Sequence, residues 1–222
     1  MAISAEVPTT HSFTYTDAAS GRLSGPLHSR MKRAIDIAGS GILIALLFLP
    51  FLAIALLIRA DSAGPVFFRQ ERTGANGQTF RIWKLRTMYT HAPENNPKQA
   101  VRNDPRVTRI GSFLRSTSID ELAQLINVFR GEMSLIGPRP HAKAHDDYYG
   151  VALPSYYLRF HAKPGITGLA QVRCQRGETK TLRCMARRLS SDLEYIGDWS
   201  MWMDLRILAQ SAFIFLRIGS AY

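Results

Sequence analysis

Two adjacent carboxylates and a conformationally fixed arginine are the residues of this chain best suited to chemistry. The carboxylates lie in Ser118-Ile119-Asp120-Glu121, just before a helical apolar pattern. The arginine lies in Gly137-Pro138-Arg139-Pro140, where a proline on each side restricts the backbone and pre-orients the guanidinium fork toward an anion. Lys84, Arg86, Arg109 and Arg115 add further cations. Fixed cations around two carboxylates suit a site for a diphosphate and a divalent metal. A carboxylate can also attack phosphorus and form an acyl phosphate. A purely structural role competes with this chemistry: Ser118 and Glu121 have the spacing of a capping box, and acidic residues complement the dipole of a first helical turn. His141 and His145 stand four apart without a glutamate suitably placed between them, so they are read as non-ligands.

Local elements must position these groups. Strands are expected over 66–72 and 79–88. Gly74-Ala75-Asn76-Gly77 joins them as a hairpin turn, because Asn-Gly accepts positive φ. On the second strand the period of two places Lys84 and Arg86 side by side on one face. The pattern over 119–129 predicts one helix, with Leu122, Leu125, Ile126 and Phe129 on its apolar side. Helical character is also expected over 109–115, 179–195 and 199–218. The last stretch carries Trp202, Leu205, Ala209, Ala212 and Leu216 at helical spacing, a face suited either to the core or to the headgroup level of a membrane. Residues 91–105 read as a loop.

Residues 37–58 are 22 consecutive uncharged, mostly apolar positions. A straight helix of that length would cross a bilayer core, reaching about 33 Å. Pro50 interrupts its most apolar part, and basic residues flank it on both sides: Arg30, Lys32 and Arg33 before, Arg59 after. These features favour a helix that dips into one leaflet, bends at Pro50 and returns to the cytoplasmic side; an ordinary spanning helix with a tolerated proline is the alternative. The chain's net charge is +11, and residues 1–29 carry −1 of it. The basic remainder suits anionic lipid or phosphorylated substrates. Nucleic acid is disfavoured by the lack of zinc-finger spacing and of basic runs alternating with aromatics. Cys174 and Cys184 form no CxxC pair or disulfide framework.

The stretch RSTSIDELAQLINVFRGEMSLIGPRPHA, residues 115–142, resembles the core of the bacterial sugar transferases, monotopic enzymes that load a phosphosugar onto a polyprenyl phosphate. Lys84-Leu85-Arg86-Thr87-Met88 is similar to a second family motif. Lys163-Pro164-Gly165-Ile166-Thr167-Gly168 resembles a third, with Leu169 where Trp is usual. Arg176-Gly177-Glu178-Thr179 and the C-terminal stretch look most like the exopolysaccharide branch, which transfers glucose 1-phosphate. The resemblance implies an α+β fold: a flexible segment over 1–29, a re-entrant membrane helix over 30–60 broken at Pro50, and a catalytic domain over 61–222 with a small β-hairpin and amphipathic interfacial helices. It implies a bilayer partner, location on the cytoplasmic face of the bacterial inner membrane, and a catalytic part without the extra N-terminal membrane helices of larger relatives. It makes Asp120 the nucleophile and Glu121 its neighbouring metal ligand or helper, with Mg²⁺ as cofactor held by Asp120 and Glu121. Lys84, Arg86, Arg115 and Arg139 become the phosphate-holding cations. UDP-glucose and undecaprenyl phosphate become the substrates. UDP-galactose, a UDP-acetamido sugar, or a non-catalytic membrane scaffold are the alternatives.

Overall fold

The computed structural model describes residues 25–90, 104–175, 177, 179 and 181–217. Most of the expected flexible segment over 1–29 and of the loop over 91–105 lies outside them. Helix α1, Arg30–Asp61, begins where the Ser29 side chain accepts from the Lys32 amide. It runs as one helix through Pro50, so the expected break there does not interrupt the element. A proline removes one internal hydrogen bond and bends a helix, and flanking turns can carry it across.

Among the described residues, α1 is the one helix long and apolar enough to cross a membrane. Ile42, Leu46, Leu49 and Leu56 are each more than 60 % exposed, an arrangement suited to lipid rather than water. Both ends of α1 are nevertheless tied to the body of the protein. At the start, the Lys32 ammonium reaches Asp204 at 2.6 Å, and Arg33 donates to the Val128 and Phe129 carbonyls. One turn on, the buried Asp36 carboxylate accepts from Ser134 Oγ and the Leu135 amide. At the far end, Asp61 accepts from the Ile110 amide.

The body is mixed helix and sheet. Strands β1, Phe67–Thr73, and β2, Thr79–Leu85, pair antiparallel in the register Phe67↔Leu85 to Thr73↔Thr79. Their connection contains Asn76 and Gly77 at positive φ, as the Asn-Gly dipeptide foretold. Beyond Leu85 the chain leaves the sheet and passes under α2, Arg109–Ser116; a Cβ on Gly111 would lie 2.0 Å from the Thr87 carbonyl oxygen. Helix α3, Leu125–Arg130, leads to β3, Ser134–Ile136, which pairs in parallel with β4, Gly165–Thr167. Between these strands lies α4, Lys143–Ala152. After them come the short α5, Leu169–Val172, then α6, Leu182–Gly197, and α7, Met201–Arg217.

Apolar burial joins these pieces. Ile58 of α1 packs with Leu85, Leu114 and Ala123, so the end of α1 lies against the hairpin and α2. Phe80 and Ile82 pack with Val128 and Met133, fixing α3 on the hairpin. Ile136 and Tyr195 pack with Ile207 of α7. Helix α7 turns Ile207 and Asp204 inward and leaves Trp202, Leu205, Ala209 and Ala212 exposed, so the apolar stripe read from the sequence faces outward.

Candidate active site

Asp120 and Glu121 do not open an α-helix. Ser118 adopts a left-handed backbone, φ 57 and ψ 16, and its side chain caps nothing. Residues Ile119–Gln124 then form a 3₁₀ turn, and α3 starts only at Leu125. The expected capping box and continuous helix over 119–129 are therefore corrected. A capping serine needs extended backbone to aim its hydroxyl at the N3 amide. Here the backbone is left-handed, a conformation that non-glycine residues rarely adopt and that is costly unless packing enforces it. The turn presents both carboxylates, each nearly buried, toward the end of β2 and the Pro138–Pro140 turn.

Glu121 is clamped by two cations. Lys84 donates to Oε1 at 3.0 Å. Arg139 forms a fork, Nη2 to Oε1 at 2.6 Å and Nη1 to Oε2 at 3.0 Å. Asp120 differs: among the described residues its carboxylate accepts no hydrogen bond. Burial and the neighbouring Glu121 charge push its pKa up to about 6, and Lys84, Arg115 and Arg139 work against that rise. An ionised carboxylate without hydrogen bonds, beside three cations, is a competent nucleophile toward an anionic phosphorus centre.

Lys84, Arg115 and Arg139 thus surround the carboxylates, with Arg115 Nε held by the Thr87 hydroxyl at 2.8 Å. Arg86 does not join them. It is buried, and its guanidinium donates to the Ile58, Ser62 and Ala63 carbonyls at the end of α1. The expected pairing with Lys84 on one strand face fails because the sheet ends at Leu85 and carbonyls at and just beyond the C-terminal end of α1 take the donors.

Several residues that the sequence reading passed over hold this geometry. Asn127, fully buried, accepts from the Trp83 amide and donates to the Arg81 carbonyl, so it locks α3 to the edge of β2 beside Lys84. An asparagine inside an apolar helical stretch was the available signal. Arg72 is pushed down to about 10 by burial and by Arg139. Behind the Pro138–Pro140 turn lies a buried polar cluster. Arg159 bonds Asp192 and the Arg139 carbonyl, and Tyr156 donates to Asp146. His141 sits between Arg159 and Arg188, well below its ordinary pKa because of burial and those two cations. His145 instead packs edge-on against Tyr149.

Among the described residues no group of three or more His, Cys, Asp or Glu could cage a metal. The donors at the site fit a different kind of metal binding. Mg²⁺ commonly uses one or two carboxylates and completes its shell with water and substrate phosphates. Asp120, whose oxygens accept no hydrogen bond from the described residues, fits that requirement, and Glu121 beside it could join once the donor phosphates draw Lys84 and Arg139 from its oxygens.

The bacterial sugar transferase family model matches residues 27–218, which include every element described above. The chain belongs to the bacterial sugar transferase family. A UDP-glucose:undecaprenyl-phosphate glucose-1-phosphate transferase of Caulobacter vibrioides is 50 % identical over 192 residues, covering 86 % of this chain and 72 % of the relative. An Escherichia coli protein of the same name is 47 % identical over 191 residues, and the match covers 86 % of this chain but 41 % of that protein. An exopolysaccharide production protein of Rhizobium leguminosarum is 47 % identical over 184 residues, covering 80 % of this chain and 91 % of the relative. The chain therefore matches nearly the whole of one relative and less than half of another. In family terms, the matched region contains the Asp120-Glu121 turn, the Arg139 turn and the apolar α1.

Proposed function

We propose that this sugar transferase moves glucose 1-phosphate from UDP-glucose to undecaprenyl phosphate, releasing UMP, through a covalent intermediate on Asp120. The names of the relatives support the reaction and the sugar. The observation that carries the mechanism is the contrast between the two carboxylates: Glu121 is clamped by Lys84 and Arg139, whereas Asp120 is ionisable near neutrality and accepts no hydrogen bond from the described residues. An Asp120 oxygen attacks the phosphorus that bears the sugar. The bond from that phosphorus to the bridging oxygen breaks, and UMP leaves with the electron pair. An oxygen of the lipid phosphate then attacks the same phosphorus. The bond to Asp120 breaks, the carboxylate is restored, and a polyprenyl diphosphate sugar departs.

Lys84, Arg115 and Arg139 hold the phosphate oxygens and offset the charge that accumulates in each displacement. Glu121 keeps two of these cations in place before the donor arrives. Mg²⁺, with Asp120 and Glu121 as the residues that would hold it, supplies charge neutralisation on the diphosphate.

The acceptor is a lipid, so the site must sit at the membrane. We read α1 as re-entrant, bent at Pro50, with the body on the cytoplasmic face of the inner membrane. The attachment of both α1 ends to one body supports this reading, because a bilayer-spanning helix would carry its ends to opposite faces. The exposed Trp202–Ala212 face of α7 supports an interfacial position, since Lys32 joins α7 to the start of α1.

The deciding experiment is incubation with UDP-glucose alone. Stoichiometric UMP and a hexose-phosphate adduct on Asp120 are expected, and Asp120→Asn should lower turnover about a thousandfold, roughly 4 kcal/mol of barrier. UMP release only when lipid acceptor is present, with no adduct by mass spectrometry, would favour direct transfer.

A further inference from the structure

The turn that carries Arg139 has an unusual backbone requirement. Pro138 and Pro140 lack amide hydrogens, so the turn cannot satisfy its own carbonyls through them. Donors have to come from elsewhere in the fold. The Gly165 amide supplies one, to the Pro138 carbonyl at 2.9 Å. A Cβ on Gly137 would lie 2.2 Å from the Lys163 carbonyl oxygen, so the two segments meet backbone to backbone. The Arg139 carbonyl takes its donor from a side chain, Arg159 Nη2, at 2.7 Å.

Arg159 is 2 % exposed and comes from the 3₁₀ turn Tyr156–His161. The nitrogen that holds the Arg139 carbonyl also donates to Asp192 of α6 at 2.8 Å. Its other terminal nitrogen faces the Tyr156 hydroxyl at 3.0 Å and His141 Nδ1 at 2.7 Å. Tyr156 in turn donates to Asp146 of α4 at 2.5 Å. On the far side of His141, Arg188 of α6 donates to the Gln175 and Gly177 carbonyls. One guanidinium is thereby immobilised from α4, α6 and the turn at once. A rigid donor on the Arg139 carbonyl fixes the backbone from which the Arg139 side chain reaches Glu121 and, in the proposed reaction, the donor phosphates.

We infer that Arg159 is a positioning residue for transfer: buried behind the Pro138–Pro140 turn, it sets the place of the Arg139 fork through the Arg139 carbonyl. This rests on the phosphate-holding role proposed for Arg139. Arg159 also pairs with Asp192 and faces Tyr156 and His141, so its positioning role is told apart from core filling by coupling to Arg139. Lysine cannot reproduce it. A single ammonium cannot hold Asp192 and the Arg139 carbonyl in the planar geometry of a guanidinium while also facing Tyr156.

A double-mutant cycle on the full chain in membranes tests this, with UMP release from UDP-glucose and undecaprenyl phosphate as the readout. Arg159→Lys should lower kcat/KM about tenfold to a hundredfold in the wild-type background. In an Arg139→Lys background, already slow, the same change should cost no more than about twofold, because the fork it positions is gone. Equal losses in both backgrounds would overturn the inference and make Arg159 a general structural residue. No loss in the wild-type background would overturn it as well. Near-normal turnover in Arg139→Lys alone would instead remove the role assigned to Arg139, and the inference with it. If Arg159→Lys does not fold, Asp192→Asn gives a second cycle. It loosens the carboxylate that aims Arg159, and its smaller loss should likewise vanish when Arg139 is Lys; persistence of that loss would refute the coupling.

Discussion

Asp120 should be a residue whose charge is costly to the fold and necessary to the reaction. Its carboxyl is raised from an ordinary 3.8 to about 6, first by burial and next by the Glu121 charge. Because the folded value lies above the unfolded one, the protonated form favours folding. The penalty for ionisation is absent below the unfolded value and complete above the folded one. Two pKa units correspond to about 3 kcal/mol. Asp120→Asn keeps the shape and removes the charge. Its amide hydrogens gain no evident acceptor, which costs about 1 kcal/mol. The net gain at pH 8 is therefore about 2 kcal/mol, a rise in Tm of about 4–8 °C for a chain of this size. At pH 4 the gain should disappear, since the wild-type residue is then protonated in the fold and the amide cost remains. Thermal unfolding of metal-free, detergent-solubilised protein at both pH values reads this directly. A Tm difference that is the same at pH 8 and pH 4, or a variant less stable than wild type at pH 8, would refute the burial argument. It would also remove the physical basis for treating Asp120 as a strained, poised carboxylate.

The same ionisation should shape catalysis: kcat/KM should fall about tenfold between pH 7.5 and pH 5 with unit slope, because only about a tenth of Asp120 remains ionised at pH 5. A flat profile over that range would exclude Asp120 as the group that must be ionised. Arg86→Leu should destabilise the protein by about 2–4 kcal/mol, because the Ile58, Ser62 and Ala63 carbonyls around the end of α1 lose a buried charged donor. The KM for UDP-glucose should stay unchanged in the molecules that fold; a selective rise in KM with normal stability would return Arg86 to the phosphate site. For topology, single cysteines replacing His28 and Asp198, in a background without Cys174 and Cys184, should both be shielded from an impermeant thiol reagent in intact cells. Labelling of the residue 28 cysteine alone would establish a spanning α1.

The residues read from the sequence were those whose meaning is local. Asn76-Gly77 specifies a hairpin because positive φ is a property of those two residues. Pro138 and Pro140 stiffen the backbone at Arg139 whatever surrounds them, and 22 consecutive uncharged, mostly apolar residues are driven out of water in any fold. The Asp120-Glu121 pair was legible as two carboxylates among cations, a pattern that suits either phosphoryl chemistry or a helix cap; residue type alone left both open. The roles that only the tertiary structure decided depend on partners far away in sequence. Glu121 is a clamp rather than a cap because packing holds Ser118 in a left-handed backbone and brings Lys84 and Arg139 to the carboxylate. Arg86 serves the end of α1 because a cluster of backbone carbonyls, Ile58, Ser62 and Ala63, lies where the strand stops. Arg159 meets Asp192 and the Arg139 carbonyl only after α6 folds back over the turn. The pKa of Asp120 is likewise a tertiary quantity: the chain supplies the carboxyl, and the water excluded by the packed body around it sets the proton affinity.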